Sequence, residues 1–576
     1  MSRGALVARP WQETPHDAEG AGGLARALGL PPAVGALLWQ RGLRDEERAR
    51  GFLRPSLHDL HPPEAIPDLE RAAARILEAA AAGARIAIYG DYDVDGICAT
   101  ALLVEALAEL GIAARSYIPH RLDEGYGLNE EAIRRLRGEG IDLLITVDGG
   151  ANDREELAVA REIGLEVIVT DHHPIDGELP ATLLVHPGRP DAPSPSASLC
   201  GTGVAYKLAW GLGRRAAGEE RVSPRFRSFL EEALALAALG TVADVVPLLG
   251  ENRAIVAHGL RSIARSARPG LRALLEMCAV NPAEIAASDI GFRLAPHLNA
   301  AGRLGEVDLA LEILRTRDDG RARELAVSLA ALNRRRKEIE QAMVDDCLAE
   351  LEADGRAGED GPLLFAREGW HSGVAGIVAA RLVERFERPV FIVAFSGGLG
   401  RGSARSIPER PLTEIYGAVR AHVRSVGGHA LAGGITLERD RLDALRAALA
   451  GSGGATPPAS LPPRAFDLAI PAAAANLELA NGIALLAPFG AGNPEPILRI
   501  DGLRLAEPPR LVGRREEHLQ LRFRHETGPL AGIWFRGASH AGAFARASGP
   551  ISVLAALEVD RFRGQARASA RIIGLP

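Results

Sequence analysis

Four short clusters of acidic and histidine side chains lie in the first half of this chain, and three of them follow an apolar, strand-like run. The clusters are Asp91-Tyr92-Asp93-Val94-Asp95-Gly96, Asp148-Gly149-Gly150, Asp171-His172-His173 and Asp244. Carboxylate oxygens bind hard divalent cations such as Mg²⁺ and Mn²⁺, and an added imidazole favours Mn²⁺. Two such cations side by side are a common device for cleaving phosphoester bonds. We therefore expect a site for two divalent cations.

The apolar runs predict strands of a parallel sheet. The run 85–89 leads into a helix predicted over 97–110, the run 143–147 leads into one over 154–163, and the run 167–170 follows. Strands that alternate with helices indicate an α/β fold in which helices cover a parallel sheet. Right-handed crossovers place the carboxyl ends of the strands at one edge, where such folds bind ligands. The clusters should meet at that edge.

The first cluster has its three aspartates at alternate positions. On an extended strand their carboxylates would share one face, but we favour a loop that wraps a cation, with Gly96 relieving the backbone before the helix. The same pattern begins an EF-hand loop, which is excluded because Leu102 occupies the twelfth position in place of Glu. The alternative of plain helix capping stays open.

The other clusters also have two interpretations each. Asp148 and Asp244, taken singly, fit either helix capping or metal binding. In Asp171-His172-His173 one imidazole would bind metal, while its neighbour would meet a substrate phosphate or support proton transfer; the alternative is a capping aspartate with two solvated histidines. The glycine-rich segment from Cys200 lacks the spacing of a phosphate-binding loop and predicts a helix start packed closely on the sheet.

Several residues outside these clusters are candidates for binding phosphate. Guanidinium groups chelate phosphate through two parallel hydrogen bonds, and the helix predicted to begin near Gly373 offers unpaired N–H groups at its start. For any single arginine, the alternative is a solvated surface residue. The candidates are Arg121, Arg303, His371, Ser403, Arg405 and His429.

Composition limits the classes of protein to which the chain can belong. Its 576 residues predict three or four domains, and the longest apolar run falls short of the ~18 residues of a membrane span. The start lacks the layout of a signal peptide, and the four cysteines are too far apart for a disulfide framework or a zinc site. We expect a cytoplasmic protein without a membrane. The net charge of −7 means that any binding of nucleic acid depends on local arginine patches.

Changes in composition along the chain predict its domains. We expect a helical extension over 1–80, a catalytic α/β domain over 81–318, a connecting helix over 319–360, a smaller α/β domain over 361–450, a linker over 451–463 and a β-barrel over 464–576. From Arg464 onward, fourteen arginines face ten acids and interleave with aromatics, as in Arg522-Phe523-Arg524, Trp534-Phe535-Arg536 and Arg561-Phe562-Arg563. Such a pattern is typical of single-strand binding, although alternation with core aromatics would also produce it.

The order of these motifs resembles the DHH phosphoesterase superfamily. The segments DxDxDG, VDGG, DHH, GTVADVVPL and HLNAAGR resemble its catalytic domain, and GWHSGVAGIVAARL, GRGSARS and GGHALAGG resemble its DHH-associated domain. The segment LAPFGAGNPEP, with a barrel after it, is similar to the RecJ branch. The resemblance implies a parallel-sheet DHH domain, a long helix, a DHH-associated domain and an OB-like barrel. It also implies an exonuclease that cuts single-stranded DNA 5′ to 3′ with two Mn²⁺ or Mg²⁺ ions per site, releasing 5′-mononucleotides in repair and recombination.

The resemblance also implies a role for individual residues. By position, the metal ligands would be Asp91, Asp93, Asp95, Asp148, His172 and Asp244. Asp148 would bridge the two ions, and His173 would contact the scissile phosphate. The 5′-terminal phosphate and nearby backbone would be held by Arg121, Arg303, Ser403 and Arg405. Tyr89 stands where many members of the superfamily have a histidine, which makes Asp91 the weakest member of the ligand set.

Two other functions fit the same motifs. A phosphodiesterase for dinucleotides or short oligonucleotides would share the catalytic domain but would not need a strand-binding barrel. A non-catalytic binding relative would lack acids that are all present here. The resemblance implies a single-strand-binding protein and a helicase as partners, and we expect a monomer that works at the bacterial nucleoid.

Overall fold

The computed structural model describes residues 9–120, 124–125, 127–353, 361–452, 463–526, 528–561 and 565–576. Its chain forms two compact units, each built from more than one segment. The first unit takes its described residues from Pro62–Asp244 and Gly259–Leu461, and the second from Val7–His61, Val245–His258 and Pro462–Pro576.

The strands are numbered along the whole chain. They are β1 (Trp11–Glu13), β2 (Ile86–Tyr89), β3 (Ala114–Tyr117), β4 (Leu143–Val147), β5 (Glu166–Thr170), β6 (Leu183–Val185), β7 (Leu363–Glu368), β8 (Val390–Ser396), β9 (Leu399–Arg405), β10 (Ser425–Gly428), β11 (Ala432–Glu438), β12 (Arg464–Phe466), β13 (Leu468–Pro471), β14 (Leu498–Leu505), β15 (Arg510–Val512), β16 (His518–His525), β17 (Gly528–Trp534), β18 (Ile551–Asp560) and β19 (Arg567–Gly574).

The helices are numbered in the same way. They are α1 (Ala18–Leu28), α2 (Pro32–Gln40), α3 (Glu46–Leu53), α4 (Leu69–Ala81), α5 (Val94–Glu109), α6 (Glu130–Gly138), α7 (Arg154–Glu162), α8 (Gly201–Ala217), α9 (Pro224–Ala243), α10 (Gly250–Ala264), α11 (Pro269–Met277), α12 (Ala287–Asp289), α13 (Ala295–Arg303), α14 (Val307–Arg315), α15 (Asp319–Ala353), α16 (Ser372–Phe386), α17 (Leu412–Val419), α18 (Leu442–Ser452), α19 (Leu477–Ala484) and α20 (Ala541–Arg546).

The first sheet carries the acidic clusters. Its strands lie in the order β3-β2-β4-β5-β6, and every neighbouring pair is parallel. The central strands β2 and β4 are buried along their whole length, which their unbroken apolar sequences predict for a sheet covered on both faces. The carboxyl ends of β2, β4 and β5 therefore lie side by side, as the sequence predicts.

Helix α5 begins earlier than its predicted start at residue 97. Asp93 is its N-cap, and the side chain of Asp93 accepts hydrogen bonds from the N–H groups of Asp95 and Gly96. The loop of the first cluster thus ends at Asp93, and the interpretation of the whole motif as a loop is wrong. Gly96 does not relieve a strained backbone either; a Cβ there would lie 2.6 Å from the backbone nitrogen and oxygen of Asp91, so glycine permits close packing.

The long helix α15 leads to the second sheet of the first unit. This sheet has the order β10-β11-β9-β8-β7, with β7 and β8 parallel and the other pairs antiparallel. Apolar residues of α15, among them Met343 and Cys347, pack with those of α16 and the sheet in one core. Hydrophobic positions at helical spacing predict a helix over about 321–354 within the segment 319–360, and α15 begins two residues before it.

The second unit is built around a β-barrel. Its strands follow the order β13-β14-β18-β19-β17-β16-β15, and a further pairing of β14 with β16 closes the barrel. Apolar residues of α1, α2 and α19 complete the barrel core, and β1 pairs in parallel with β12. The N-terminal helices, which the sequence predicts as a separate extension, thus pack with the barrel.

Arg253, at the second unit's short middle segment, is among the largest fully buried side chains. Its guanidinium donates to the carbonyl oxygens of Phe52, Leu486, Ala487 and Pro488 at 2.7–3.3 Å, and its Cζ lies 3.7 Å from the Phe52 ring centroid. Burial lowers the pKa of Arg253 to about 10. A buried cation is tolerated because polar atoms surround it, so this residue ties three distant parts of the chain together.

Among the described residues, no single helix meets the length and hydropathy of a membrane span, and only the pair α1 and α2, bent by 116° between them, meets them jointly.

Candidate active site

The carboxyl edge of the first sheet gathers the predicted ligands. Asp91 follows β2, Asp148 follows β4, and Asp171-His172-His173 follows β5, while Asp244 caps the end of α9. Three groups of these residues have ligand atoms within 4.8 Å of one another: Asp91, Asp93 and Asp148; Asp95, His172 and Asp244; Asp148, His172 and His173. The groups share Asp148 and His172, so the structure brings all six predicted metal ligands into one cluster.

Asp148 and His172 face each other at the centre of the cluster. Asp148 Oδ1 lies 3.1 Å from His172 Nε2, and carboxylate oxygens of Asp244 and Asp95 lie 3.7 Å and 3.8 Å from the same nitrogen. Both central atoms are buried, and neither has a hydrogen-bond partner among the residues that the structure describes. Buried polar atoms are normally satisfied, so this oxygen-rich set with one imidazole fits Mn²⁺ or Mg²⁺.

The pKa values of the clustered side chains indicate a site that would bind a cation. Burial and the charge of Asp95 raise the pKa of Asp148 well above its ordinary value, and the same two causes raise that of Asp244 to about 8. Burial lowers the pKa of His172, which keeps its imidazole neutral. Carboxylates crowded in a dry site repel one another, and a bound cation would relieve that repulsion.

Asp171 orients His173 and is not a member of the three groups of neighbouring ligand atoms. Asp171 Oδ1 accepts hydrogen bonds from the peptide N–H groups of His172 and His173 and from His173 Nδ1 at 2.8 Å, and Oδ2 accepts one from Ala151. Although burial lowers the pKa of His173, the bond to Asp171 and nearby carboxylates raise it to about 9. His173 is therefore a cation at neutral pH, suited to meet a phosphate oxygen.

Asp95 is held by the start of α8, a connection that sequence reasoning missed. Its carboxylate accepts hydrogen bonds from the N–H groups of Gly201 and Thr202 and from the Thr202 hydroxyl, at 2.5–2.9 Å. A Cβ on Gly201 would lie 2.4 Å from Asp148 Oδ1, so only glycine fits there. The glycine-rich segment is a closely packed helix start, as predicted. Its small residues were the available signal for the contact.

Helix α13 contacts the first cluster through Asn299 and Gly302. The Asn299 side chain accepts a hydrogen bond from the Val94 N–H at 3.1 Å, and a Cβ on Gly302 would lie 2.0 Å from the carbonyl oxygen of Tyr92. The last residue of the helix, Arg303, donates to the carbonyl oxygen of Gly373 at 3.1 Å. One short helix therefore contacts both the first acidic cluster and the start of α16.

Four of the predicted phosphate-binding residues lie around the start of α16. His371 occupies the N-cap position of this helix, but its side chain makes no capping hydrogen bond. The side chain of Arg303 reaches the first turn of the helix. A Cβ on Gly376 would lie 2.9 Å from Arg405 Nη2 and 3.4 Å from Ser403 Oγ. The α16 cluster, as we call these residues, consists of Arg303, His371, Ser403 and Arg405. It combines two guanidinium groups with the start of a helix, whose unpaired N–H groups attract anions.

The two remaining candidates are His429 and Arg121. His429 is exposed in the hairpin between β10 and β11, where its N–H donates to Ala432, the residue paired with Arg405. Arg121 lies outside the described residues.

The arginine–aromatic pairs of the barrel divide into two kinds. Phe523 is fully buried in the barrel core, which matches the alternative interpretation of simple strand alternation. Phe535 is 56% exposed and packs edge-on against His518 at 5.3 Å, while Trp534 stacks on His540 at 4.2 Å. Phe562 lies outside the described residues. Phe535, just after the end of β17, is therefore the exposed aromatic among those of the described pairs.

Comparison with family models agrees with this arrangement. The DHH family N-terminal domain matches residues 85–241, the DHHA1 domain matches 360–451, and the RecJ OB domain matches 466–574. The fold and the clustered acids thus define a phosphoesterase of the DHH class with an OB domain.

Whole-chain comparisons narrow the class. The chain is 36% identical over 530 residues to the single-stranded-DNA-specific exonuclease RecJ of Bacillus subtilis, covering 91% of this chain but 65% of that relative. It is 37% identical to RecJ of Salmonella typhimurium, covering 85% and 86%. The crystal structure of Thermus thermophilus RecJ in complex with Mn²⁺ superposes with a TM-score of 0.81 at 31% identity, covering 99% and 80%. The chain belongs to the RecJ family.

Proposed function

We propose that this protein is a metal-dependent exonuclease that hydrolyses single-stranded DNA from the 5′ end and releases 5′-mononucleotides. One observation carries the proposal: Asp148 Oδ1 and His172 Nε2 face each other at 3.1 Å, buried and without hydrogen-bond partners among the described residues, inside a ring of carboxylates. The RecJ relatives, whose names describe exonucleases of single-stranded DNA, support the substrate class.

The cofactors that we propose are two Mn²⁺ or Mg²⁺ ions, shared through Asp148. Asp91 and Asp93 would serve one ion, and Asp95, His172 and Asp244 the other, following the groups of neighbouring ligand atoms. When bound, such ions supply positive charge for the reacting phosphate and lower the pKa of a bound water. The Mn²⁺-bound relative supports this assignment.

The chain's own residues would orient the substrate. Asp171 fixes the His173 ring through Nδ1, so the protonated ring presents its other nitrogen to a phosphate oxygen and stabilises charge that grows in the transition state. The α16 cluster would hold the 5′-terminal phosphate, because arginines bind phosphate dianions with two parallel hydrogen bonds. Since Arg303 belongs to α13, which also contacts the first acidic cluster, the terminal phosphate would be set at a fixed distance from the metals.

The biological setting is proposed more broadly. We infer a role in DNA repair and recombination, in which the exposed Phe535 of the barrel would stack on a base of the single strand. A single-strand-binding protein and a helicase would supply substrate. We further propose a monomer in the cytoplasm, at the nucleoid when in use.

The nuclease proposal is tested with strands labelled at the 3′ end. Wild-type protein with Mn²⁺ should produce a ladder that shortens from the 5′ end on single strands and little product on blunt duplex. Asp148→Asn should abolish cutting, a loss of at least about 10³-fold in kcat if metal activation is lost. Asp142→Asn is the matched control, because Asp142 precedes the same strand β4 at its opposite end and pairs with Arg137; it should cut normally.

Three results would overturn the proposal. Cutting by Asp148→Asn at the wild-type rate would remove the metal centre from catalysis, and shortening from the 3′ end would reverse the polarity. A preference for dinucleotides over long strands would point to the small-substrate phosphodiesterase. A 5′-hydroxyl strand should be cut more slowly than a 5′-phosphorylated one, and Arg405→Ala should reduce that difference.

A further inference from the structure

His186 is a buried histidine beside the candidate site that none of the predicted roles uses. It follows β6, the edge strand next to β5, and its side chain is 1% exposed. Its Nε2 lies 2.8 Å from the backbone carbonyl oxygen of His173, and its Nδ1 accepts a hydrogen bond from the Gly188 N–H at 3.0 Å. The ring therefore bridges the loop after β6 and the peptide that follows β5.

These two partners fix the tautomer of His186. A peptide N–H can only donate, so Nδ1 must be the unprotonated acceptor of the Gly188 bond. A carbonyl oxygen can only accept, so Nε2 must carry the proton that it donates to His173. The ring is thus neutral with its hydrogen on Nε2, and each of its nitrogens has a partner.

The bond to His173 completes a three-point attachment of that residue. Asp171 Oδ1 already accepts from the His173 N–H and from Nδ1 of the His173 ring. The carbonyl oxygen of His173 is the third point, and His186 is the side chain that holds it. The N–H, the C=O and the ring Nδ1 of His173 are therefore all bonded.

We propose that His186 is a positioning residue, which sets the orientation of His173 by holding its carbonyl oxygen with a proton on Nε2. The inference rests on the proposed function of His173 at a phosphate. His186 touches no substrate itself, because it is buried beneath the histidine pair. Substitution of residues that orient metal ligands through hydrogen bonds typically lowers activity or metal affinity by about 10–100-fold.

Three substitutions separate the two hydrogen bonds. His186→Leu removes both. His186→Gln places an amide N–H near the position of Nε2 and keeps the donor to His173, whereas His186→Asn places its oxygen near Nδ1 and keeps only the bond from Gly188. Thr182→Val is the matched control, because the Thr182 hydroxyl donates to the Val167 carbonyl at the other end of β6.

Kinetics on a 5′-phosphorylated single strand with Mn²⁺ gives the first readout. His186→Leu and His186→Asn should lower kcat by about 10–100-fold. KM for the DNA strand should stay within about twofold, since the α16 cluster proposed to hold the 5′-terminal phosphate is unchanged. His186→Gln should recover most of kcat, and Thr182→Val should behave as wild type. Recovery by the Asn variant as complete as by the Gln variant would show that only the loop bond matters and would overturn the inference.

Hydrogen–deuterium exchange of the metal-free protein gives a readout independent of activity. Amides at residues 171–173 should exchange faster in the Leu and Asn variants and at the wild-type rate in the Gln variant, because the His173 peptide would lose one of its attachments. Unchanged exchange in the Leu variant would overturn the proposal. If the Leu variant does not fold, the Gln and Asn pair decides alone. If wild-type protein cuts no single strand, the proposed function fails, and exchange still decides whether His186 holds His173.

Discussion

Asp148 combines several unfavourable features in a single residue. Its backbone is left-handed, with φ of 64°, a conformation that non-glycine residues rarely adopt but that Asp and Asn tolerate best. Its carboxylate is buried among other acids, and its Oδ1 faces His172 without a hydrogen-bond partner in the described part of the chain. Strain and desolvation of this kind are typical of functional sites.

Neutralising Asp148 should stabilise the metal-free protein. Burial and the charges of Asp95 and Asp93 disfavour its ionised form, so Asp148→Asn removes an unfavourable charge while keeping the shape and the tolerance for left-handed backbone. In chelator, the melting temperature of the variant should exceed that of wild type, by less per kcal/mol than the about 2–4 °C of a domain of about 150–250 residues, because the first unit is larger. A lower melting temperature in chelator would show that the carboxylate stabilises the empty site.

Residue types and their order were enough to predict which acids and histidines lie together, but not what surrounds them. Asp171-His172-His173 was identified because three polar ligands after a strand have no packing role. Thr202 was not identified, because its contact with Asp95 joins segments that lie 107 positions apart. His186 was missed for the same reason: a lone histidine in an apolar segment gives no sign of its partners.

Among the elements, α13 shows how a short helix can set the geometry of a site. Its Asn299 and Gly302 contact the first acidic cluster, and its last residue reaches α16. From the sequence alone, the small residues of Asn299-Ala300-Ala301-Gly302 suggest a turn before Arg303, whereas the structure places Arg303 on the last turn of a helix. Small residues in this segment permit contact between helix and loop and do not indicate a turn.

Gly302→Ala should therefore damage the site without exposing any apolar residue. The added Cβ would lie 2.0 Å from the Tyr92 carbonyl oxygen, a backbone atom that can move only by displacing Asp91 and Asp93. We expect a loss of kcat of at least about tenfold, because displacements near 1 Å at a site are costly, and weaker Mn²⁺ binding by calorimetry. Gly291→Ala is the control, since its Cβ would meet only Val242 at 3.8 Å. Equal kcat for both variants would contradict this role for α13.

Helix limits were less predictable than helix existence. The start of α5 was placed three residues late because the capping aspartate belongs to the same acidic motif as the ligands, so the cap and the ligand signals overlap. The start of α15 was predicted closely because a 35-residue amphipathic pattern provides many turns of evidence.

At the scale of the whole molecule, the predicted metal ligands come from separate helices and strands. A metal bound to them would hold these elements together, so metal binding should stabilise the first unit. The start of α5, the ends of β4 and β5 and the end of α9 each supply one or more ligands. Mn²⁺ at 100 times its Kd should add about 2.7 kcal/mol to the free energy of unfolding, measured as a rise in melting temperature over chelator. Asp148→Asn should show a much smaller rise; an equal rise would place the bound Mn²⁺ elsewhere.

The buried Arg253 has a consequence for how this protein can be divided. The second unit draws on three stretches of chain, and the middle one, Val245–His258, begins directly after Asp244. A protein ended at residue 452 would retain every predicted metal ligand but would lose the carbonyl groups of Leu486, Ala487 and Pro488 that surround the guanidinium. Limited proteolysis should cleave such a fragment within 245–258 at doses that leave this segment intact in the full chain, and resistance of the fragment there would contradict this. The barrel is thus not a detachable module, and a gene rearrangement at the linker would not transplant it intact.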